Sequence, residues 1–308
     1  AAGTLERFRR ETGIEIRYSV YESNEEMLAR VMSGNSGWDV VFPSHYFIGP
    51  MREMNLLARL DAASLPHCAN LEPRYRHPPW DPDLAWCAPY MWGSCGILYN
   101  PRQARPEPAA WADLWQDSYS GRMSMLDDPA EAFGAALQML GLPLNESSEH
   151  GLRRAFQALR RQKPLLRAYL NAEARDQIAA GDLAVCQAWA TTAQQAIDAA
   201  PHLRFVYPSE GFSLYADCAV LLRESRRPEE ARTFLNFLLR DDVAAEIVSE
   251  CHSATANAAA RPLLPERLRE LETLYPRAET LARGAWFDAL PPDAQRLRDR
   301  LWTELKSS

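Results

Sequence analysis

Residues 4–46 read TLERFRRETGIEIRYSVYESNEEMLARVMSGNSGWDVVFPSHY, and the order of helix and strand signals in this stretch decides the fold class. Leu5 and Phe8 fall on one face of a helix, and Gly13 is placed to end it, because glycine readily adopts the left-handed conformation of a C-terminal cap. From residue 14 to residue 20 apolar and polar residues alternate, which is the period of a half-buried strand. The stretch therefore begins with a predicted helix followed closely by a predicted strand.

A second helix and a second strand follow. Ser23 or Asn24 is the predicted N-cap, with Glu26 placed as the capping-box partner of Ser23, and residues 38–42 (WDVVF) form a short apolar run. Helix, strand, helix and strand joined by short connections predict an α/β layer with parallel strands. Ligands of such sheets bind beyond the carboxyl ends of the strands, and Ser44 and Tyr46 lie at such an end.

The composition is that of a globular protein, with 47% hydrophobic and 24% charged residues in a chain of 308. The net charge of −7 permits a cationic ligand and argues against nucleic acid, whose binding rewards a basic face. No apolar run approaches the roughly 18 residues that a membrane helix needs. No signal peptide is recognised at the start, although a processed secreted chain would look the same.

Cysteines, histidines and short motifs give no sign of a metal, a cofactor or catalysis. The six cysteines form no C-x-x-C pair, and their apolar surroundings, as in AVCQAW and ADCAVLL, fit buried free thiols better than disulfides, which an oxidising compartment would still allow. The histidines lack metal-ligand spacing, and no hydrolase, zinc-protease, Walker or dinucleotide motif occurs. Only His45, beside the predicted strand end, is a candidate for changing cation binding through its own charge.

Two apolar stretches, residues 89–99 and 213–222, divide the chain, with helix–strand units between them and amphipathic helices after the second. The predicted helices are 130–140, 151–161, 174–180, 228–239 and 242–250, and residues 60–90 are predicted as a long irregular loop. This pattern predicts two lobes. The first lobe is assigned residues 1–93 plus 218–258, and the second lobe residues 94–217 plus 259–308.

Seven segments in order resemble one known family. They are FRRETGIEIRYSVYESNEEMLARV, WDVVFPSHYFIGPM, APYMWGSCGILYN, LDDPAEAFGAAL, EEARTFLNFLLRDDVAAEI, TANAAARPLL and TLYPRAETL. Single motifs such as PYMWG are moderately specific, whereas seven in sequence over nearly the whole chain are highly specific. Together they resemble the periplasmic spermidine/putrescine (polyamine) binding proteins of bacterial ABC importers, in extracellular solute-binding protein family 1.

The resemblance implies an α/β fold, a two-lobed type II periplasmic binding protein with a hinge cleft. It implies a monomeric, periplasmic receptor that binds a cationic amine in an acidic, aromatic cleft and delivers it to a membrane permease, without cofactor or catalysis. In that family a first strand and a Trp-x-x-Tyr type motif precede the first helix, whereas this chain begins inside that helix. We expect that the segment has been trimmed, because a central strand is hard to omit without leaving unpaired backbone groups.

Three acidic residues are candidates for binding ammonium groups, which are prohibitively costly to bury without a partner. Asp128 and Glu131 lie three residues apart where a predicted strand enters a helix. This spacing alone is more typical of a charge pair at a helix N-terminus, but the resemblance implies the pair that binds a terminal amine. Asp217 lies in the apolar run SLYADCAVLL, where it is either a hydrogen-bonded hinge residue or, as the resemblance implies, the partner of an inner amine.

Aromatic and hydroxyl side chains complete the predicted site. Trp189 ends the apolar run LAVCQAW; such a residue is as often core, and the resemblance implies that it lies in the cleft. Tyr215 shares a strand face with Asp217, two residues later. By resemblance, Ser44 and Tyr46 contact the ligand from the first lobe.

Several positions depart from the family pattern. Ala130 stands where the family usually has Arg, Thr192 where some members have an acid, and Tyr215 where Trp is frequent. Ser253 replaces a common Tyr, and Phe287 a common Gln. We therefore expect a cationic amine ligand whose identity is open, with another amine or an opine-like compound as the alternative.

Two other functions remain open at this point. An enzyme on the same scaffold would use Cys95 or Cys218 as a nucleophile, but it would need a nearby base to form the thiolate, and none is specified. A binding protein that presents its ligand-loaded form to a sensor would use the same residues as an importer receptor.

Overall fold

The computed structural model describes residues 2–307. They form two compact units: unit 1 comprises the residues up to Trp92 together with Tyr215–Leu271, and unit 2 comprises Gly93–Leu214 together with the residues from Glu272 onward. The chain passes from unit 1 to unit 2 after Trp92 and returns to unit 1 after Leu214, close to the predicted boundaries at 93/94 and 217/218. Residues 259–271, predicted for the second lobe, belong instead to unit 1, because Leu264 and Leu268 pack in one apolar cluster with Val248.

The α-helices are α1 Ala2–Thr12, α2 Asn24–Met32, α3 Ile48–Glu53, α4 Pro73–Arg76, α5 Pro129–Met139, α6 Glu149–Gln162, α7 Glu173–Ala180, α8 Ala190–Ala199, α9 Pro228–Leu238, α10 Asp241–Cys251, α11 Glu266–Arg269, α12 Ala278–Leu281 and α13 Pro292–Ser307. The strands are β1 Val40–Val41, β2 Cys87–Tyr99, β3 Met123–Met125, β4 Ala168–Tyr169, β5 Val185–Trp189, β6 Arg204–Val206, β7 Phe212–Leu221, β8 Ala254–Thr255 and β9 Gly284–Trp286. Short 3-10 helices cover His45–Phe47, Ala62–Ser64, Pro66–Asn70, Trp111–Trp115, Asp117–Tyr119, Lys163–Leu165 and Arg261–Leu263.

Unit 1 is built around two antiparallel strand pairs, β1 with β7 and β2 with β8. The register places Val40 opposite Leu221 and Met91 opposite Thr255. The apolar faces of α2 and α3 pack against these strands in one buried cluster. Phe8 of α1 is fully buried against the rings of Phe234 and Phe237 in α9, so the predicted apolar face of the first helix is confirmed.

The predicted strand at residues 14–20 is wrong. The segment has no strand partner within residues 2–307, and Tyr18 and Val20 expose 74% and 65% of their surface. The parallel pairing expected for the first strands is also wrong, because the strand predicted at 38–42 is reduced to β1 and runs antiparallel to β7. Alternation gives the period of a strand, but a strand also needs a neighbour to accept its backbone hydrogen bonds.

Unit 2 has a mixed sheet. β3 lies between β4 and β5 and is parallel to both, while β2 is antiparallel to β5 and β6. The beginning of β7 is parallel to β9. Helices α5, α6 and α13 bury their apolar faces in a common cluster, and α7 and α8 contribute to a second. Because β3 and β5 are parallel neighbours, the residues that follow them meet at one edge of the sheet.

No helix within residues 2–307 has both the length and the apolar character needed to cross a membrane. Within the same residues, no cluster of three or more His, Cys, Asp and Glu side chains is arranged to hold a metal ion.

Candidate functional site

Asp217 is the acidic centre of a polar cluster in unit 1. Ser44 and Asp217 form an isolated antiparallel β-bridge, and the Ser44 hydroxyl donates to Asp217 Oδ1 at 3.1 Å. Asn24 at the start of α2 clamps Ser44: its amide donates to Ser44 Oγ at 3.2 Å, and its Oδ1 accepts from the Ser44 backbone N–H at 2.9 Å. The Cys218 N–H donates to the Pro43 carbonyl at 2.9 Å, which fixes the backbone next to the pair.

The environment of Asp217 leaves its charge poorly compensated. The side chain is half-buried, and the loss of solvent raises the carboxyl pKa from its ordinary value of 3.8 to about 6, although the hydrogen bond from Ser44 acts in the opposite direction. A carboxylate in this state is stabilised by any cation that reaches it. Near neutral pH the group is mostly ionised and chemically suited to an ammonium ligand.

Two aromatic residues lie close in the chain to this pair, Tyr46 two residues after Ser44 and Tyr215 two residues before Asp217. Tyr46 and Tyr215 are half-buried, and the ring centroid of Tyr46 lies 5.5 Å from that of His45. His45 is buried, contacts the Trp80 ring at 4.4 Å, and accepts the Ala216 backbone N–H on Nδ1 at 3.2 Å. His45 therefore anchors the backbone between Tyr215 and Asp217, a role that the sequence did not indicate.

Glu131 is the centre of the polar cluster in unit 2. Its side chain is 4% exposed, and both carboxyl oxygens accept hydrogen bonds: Oε1 from the Trp189 indole N–H at 3.0 Å and Oε2 from the Ser213 hydroxyl at 2.7 Å. Gln187 donates its amide to the Glu131 carbonyl oxygen at 3.0 Å. The cluster joins residues from α5, β5 and β7, so it depends on the tertiary fold of unit 2.

Asp128 connects this cluster to the N-terminus of α5. It is the N-cap of α5, and its Oδ1 accepts the Glu131 backbone N–H at 3.0 Å, so the local interpretation as a helix-terminal acid is confirmed. Asp128 is buried, and burial raises its pKa, while the nearby guanidinium of Arg298 lowers it. Asp128 thus has a structural role in addition to any role in binding.

The charge of Asp128 makes ionisation of the neighbouring Glu131 less favourable. Burial and the proximity of Asp128 raise the pKa of Glu131 from 4.5 to about 8, and the hydrogen bonds from Ser213, Trp189 and Cys95 lower it by less. Two buried carboxyl groups that interact electrostatically do not readily ionise together without a cation. An ammonium group would supply the missing charge.

The structure brings the predicted residues together in two sets. Set one, in unit 1, is centred on Ser44 and Asp217 with Tyr46 and Tyr215 near them in the chain, and set two, in unit 2, contains Asp128, Glu131 and Trp189. Sequence reasoning missed Asn24, Gln187 and Ser213. Of these only Asn24 carried a local signal, as a polar residue at the start of a predicted helix.

Two of the family departures are buried in apolar surroundings. The Ser253 hydroxyl donates to the sulfur of Met91 at 2.8 Å. Phe287 is buried beside Gly134 of α5, and its backbone N–H donates to the Leu214 carbonyl at 3.1 Å. Neither side chain offers a second carboxylate or amide to a ligand.

The thiols that an enzyme would use are poorly placed for nucleophilic chemistry. Cys95 and Cys218 are buried and free. Burial, together with the neighbouring carboxyl group of Glu131, raises the pKa of the Cys95 thiol well above its ordinary value, and the Cys218 thiol lies 3.9 Å from the Ala216 carbonyl oxygen. Carboxyl groups beside a buried thiol oppose formation of the thiolate.

The chain belongs to the bacterial extracellular solute-binding protein family, whose model matches residues 4–266. The class of protein is therefore a solute receptor with an α/β fold of the periplasmic binding protein type.

Individual relatives match over nearly their whole length. The spermidine/putrescine-binding periplasmic protein of Salmonella typhimurium is 32% identical over 99% of this chain and 88% of its own. A putrescine-binding periplasmic protein of Escherichia coli K12 is also 32% identical, over 100% of this chain and 88% of its own. A solved structure from Listeria monocytogenes, assigned to spermidine/putrescine ABC transport, has a TM-score of 0.95 at 29% identity, with 99% of this chain and 95% of that chain covered.

Proposed function

We propose that the protein is the periplasmic substrate-binding component of a polyamine ABC importer. It binds a spermidine- or putrescine-type amine through set one and set two and passes it to a membrane permease. In this proposal the protein acts as a monomer, performs no catalysis and binds no nucleic acid.

The observation that carries the proposal is a pair of acids, the buried Glu131 and the half-buried Asp217, whose charges are poorly compensated. Asp217 is held by Ser44, and Glu131 is held by Trp189 and Ser213, and all of these hydrogen-bond donors are neutral. A polyamine supplies what both acids lack, which is a protonated amine at intervals along an apolar stem. Aromatic side chains such as Trp189 add a favourable face for the cation and the methylenes.

The relatives support this choice of ligand class. Two relatives of equal identity differ in their ligand, since one is a spermidine/putrescine-binding protein and the other a putrescine-binding protein. Overall sequence identity therefore does not indicate how long the amine ligand is. Ser253 and Phe287 are buried in apolar contacts, so the choice rests on the three acids and the aromatic residues near them.

The test is a calorimetric titration of the protein with putrescine, spermidine and spermine, with amino acids and opines as further candidates. The matched control ligand is 1,4-butanediol, which keeps the putrescine stem and removes both charges. Micromolar or tighter binding of a polyamine, without heat from the diol, supports the proposal. Binding of an amino acid or opine alone would keep the receptor role and overturn the ligand class.

The absence of catalysis is tested on the same samples. Mass spectrometry of the ligand after prolonged incubation should recover it unchanged. Conversion of the ligand, lost on thiol alkylation, would overturn the receptor assignment in favour of a cysteine-dependent enzyme.

A further inference from the structure

Ser213 is a buried hydroxyl residue that no motif singled out. It is the second residue of β7 and pairs with Ala285 of β9. Its side chain is 2% exposed, and its hydroxyl donates to Glu131 Oε2 at 2.7 Å, across 82 residues of sequence. The hydroxyl therefore meets a carboxyl group of unit 2 that the proposed function assigns to amine binding.

The Glu131 carboxyl is held at both ends. Trp189 at the end of β5 donates to Oε1, and Ser213 at the beginning of β7 donates to Oε2. Two donors on different strands fix the plane of the carboxyl group, and a side chain with one donor is free to rotate about its terminal torsion. Removal of Ser213 would release one end without touching the other.

The groups around Glu131 differ in which protonation state they favour. The donors Ser213 and Trp189 favour the ionised carboxylate, and the thiol of Cys95 does so too. The charge of Asp128 raises the pKa of Glu131 and so opposes its ionisation. The guanidinium of Arg298 in turn lowers the pKa of Asp128. Ser213 makes the shortest of the hydrogen bonds to the carboxyl oxygens, so it is the donor whose loss should be felt most.

We propose that Ser213 is a positioning residue for amine binding, which orients the Glu131 carboxyl group beside Trp189 and favours its ionised form when an ammonium group binds. This inference rests on the proposed function, because it assumes that Glu131 binds the amine. It concerns a residue that acts through Glu131 and does not itself touch the ligand.

The experiment measures the affinity for spermidine between pH 6 and pH 8.5 in three variants. Ser213→Ala should weaken binding at pH 7 by roughly tenfold, as expected for loss of a hydrogen bond to a charged group, and should move the midpoint of the pH profile to higher pH. Ser213→Thr keeps the hydroxyl and should restore the profile. The matched control is Ser124→Ala, since Ser124 is a buried serine of unit 2 whose hydroxyl has no hydrogen-bond partner within residues 2–307.

Three results would overturn the inference: a wild-type profile for Ser213→Ala, a loss of affinity that is equal at every pH, or a failure of Ser213→Thr to restore the midpoint. Circular dichroism and thermal unfolding of each variant confirm that it is folded. Glu131→Gln separates the two claims. If that variant binds spermidine as the wild type does, the proposed role of set two fails; if it binds weakly while Ser213→Ala follows the wild type, only the role of Ser213 fails.

Discussion

Ser44 and Asp217 are paired twice, once through the backbone as an isolated β-bridge and once through the hydrogen bond from Ser44 Oγ to Asp217 Oδ1. The double pairing fixes an acid whose carboxylate accepts a hydrogen bond from a neutral hydroxyl. Removing a charge from water without a counter-ion is unfavourable, so a cation bound beside the Asp217 carboxylate would be stabilised.

The pH dependence of binding should report this carboxyl. Because an ammonium ligand requires ionised Asp217, affinity should fall as the pH drops through about 6, the pKa of that group. Ser44→Ala removes the donor that lowers this pKa, so its profile should move to higher pH. Affinities measured from pH 5 to pH 7.5 test this, and a profile that is flat across this range would contradict it.

Binding at neutral pH should release a proton from unit 2. With a pKa of about 8, Glu131 is mostly protonated at pH 7 in the ligand-free protein, and an ammonium group displaces that proton. Titrations in phosphate and in Tris, whose ionisation enthalpies differ, should therefore give different binding heats. Glu131→Gln has no proton to release, so its heats, where binding remains measurable, should lack the contribution from this residue; equal heats for the wild type would disprove the release.

Glu131 should also reduce the stability of the ligand-free protein at alkaline pH. Its folded pKa of about 8 exceeds the ordinary 4.5, so the folded chain holds the proton more tightly and stability falls as the pH rises between these values. Glutamine carries no charge; its carbonyl oxygen can accept from the Trp189 indole N–H, and its NH2 group can donate to the Ser213 hydroxyl, which then accepts instead of donating. Glu131→Gln should therefore be more stable than the wild type at pH 8, on the order of a few kcal/mol, and the difference should shrink at pH 5.

Thermal unfolding of the two proteins at both pH values measures this difference. A gap that is the same at pH 5 and pH 8 would show that the substitution acts through packing and not through the charge.

The thiols should be inert in the native protein. None of the six cysteines, all within residues 2–307, is in a disulfide; five are buried, and Cys251 is half-buried. Reaction with Ellman's reagent should modify at most one thiol rapidly in the native state and all six after denaturation without reductant. Fewer than six in the denatured protein would reveal disulfides, and loss of amine binding after native alkylation would show that a thiol serves the site.

Long amphipathic helices were the part of the fold that sequence predicted best. The prediction for 228–239 corresponds to α9, Pro228–Leu238, and that for 151–161 lies within α6, Glu149–Gln162. Their apolar period and their first-turn signals are local, so no tertiary information is needed. The strand at 14–20 failed because pairing depends on a neighbour that the segment itself does not encode.

The residues of the candidate site also divide into those with a local sequence signal and those that only the tertiary fold brings together. The local pattern of Asp128, an acid where a strand enters a helix, predicted a helix-terminal residue, and the structure shows it as the N-cap of α5; its assignment to the binding site came from the family resemblance. Ser213 and Trp189 meet Glu131 across 82 and 58 residues, a proximity that only the sheet of unit 2 creates. The shared cleft expected for the two sets stays a prediction.

The role of Asp217 in amine binding is tested most directly by the affinity of Asp217→Asn for spermidine at pH 7.5, measured by calorimetry beside the wild type. The matched control is Asp39→Asn, because Asp39 also accepts a serine hydroxyl in unit 1, from Ser225 at 2.6 Å. We predict micromolar or tighter binding by the wild type and by Asp39→Asn, and a loss of about 2–5 kcal/mol for Asp217→Asn, as for truncation of a buried charge pair. Equal affinity of Asp217→Asn and wild type would contradict the account.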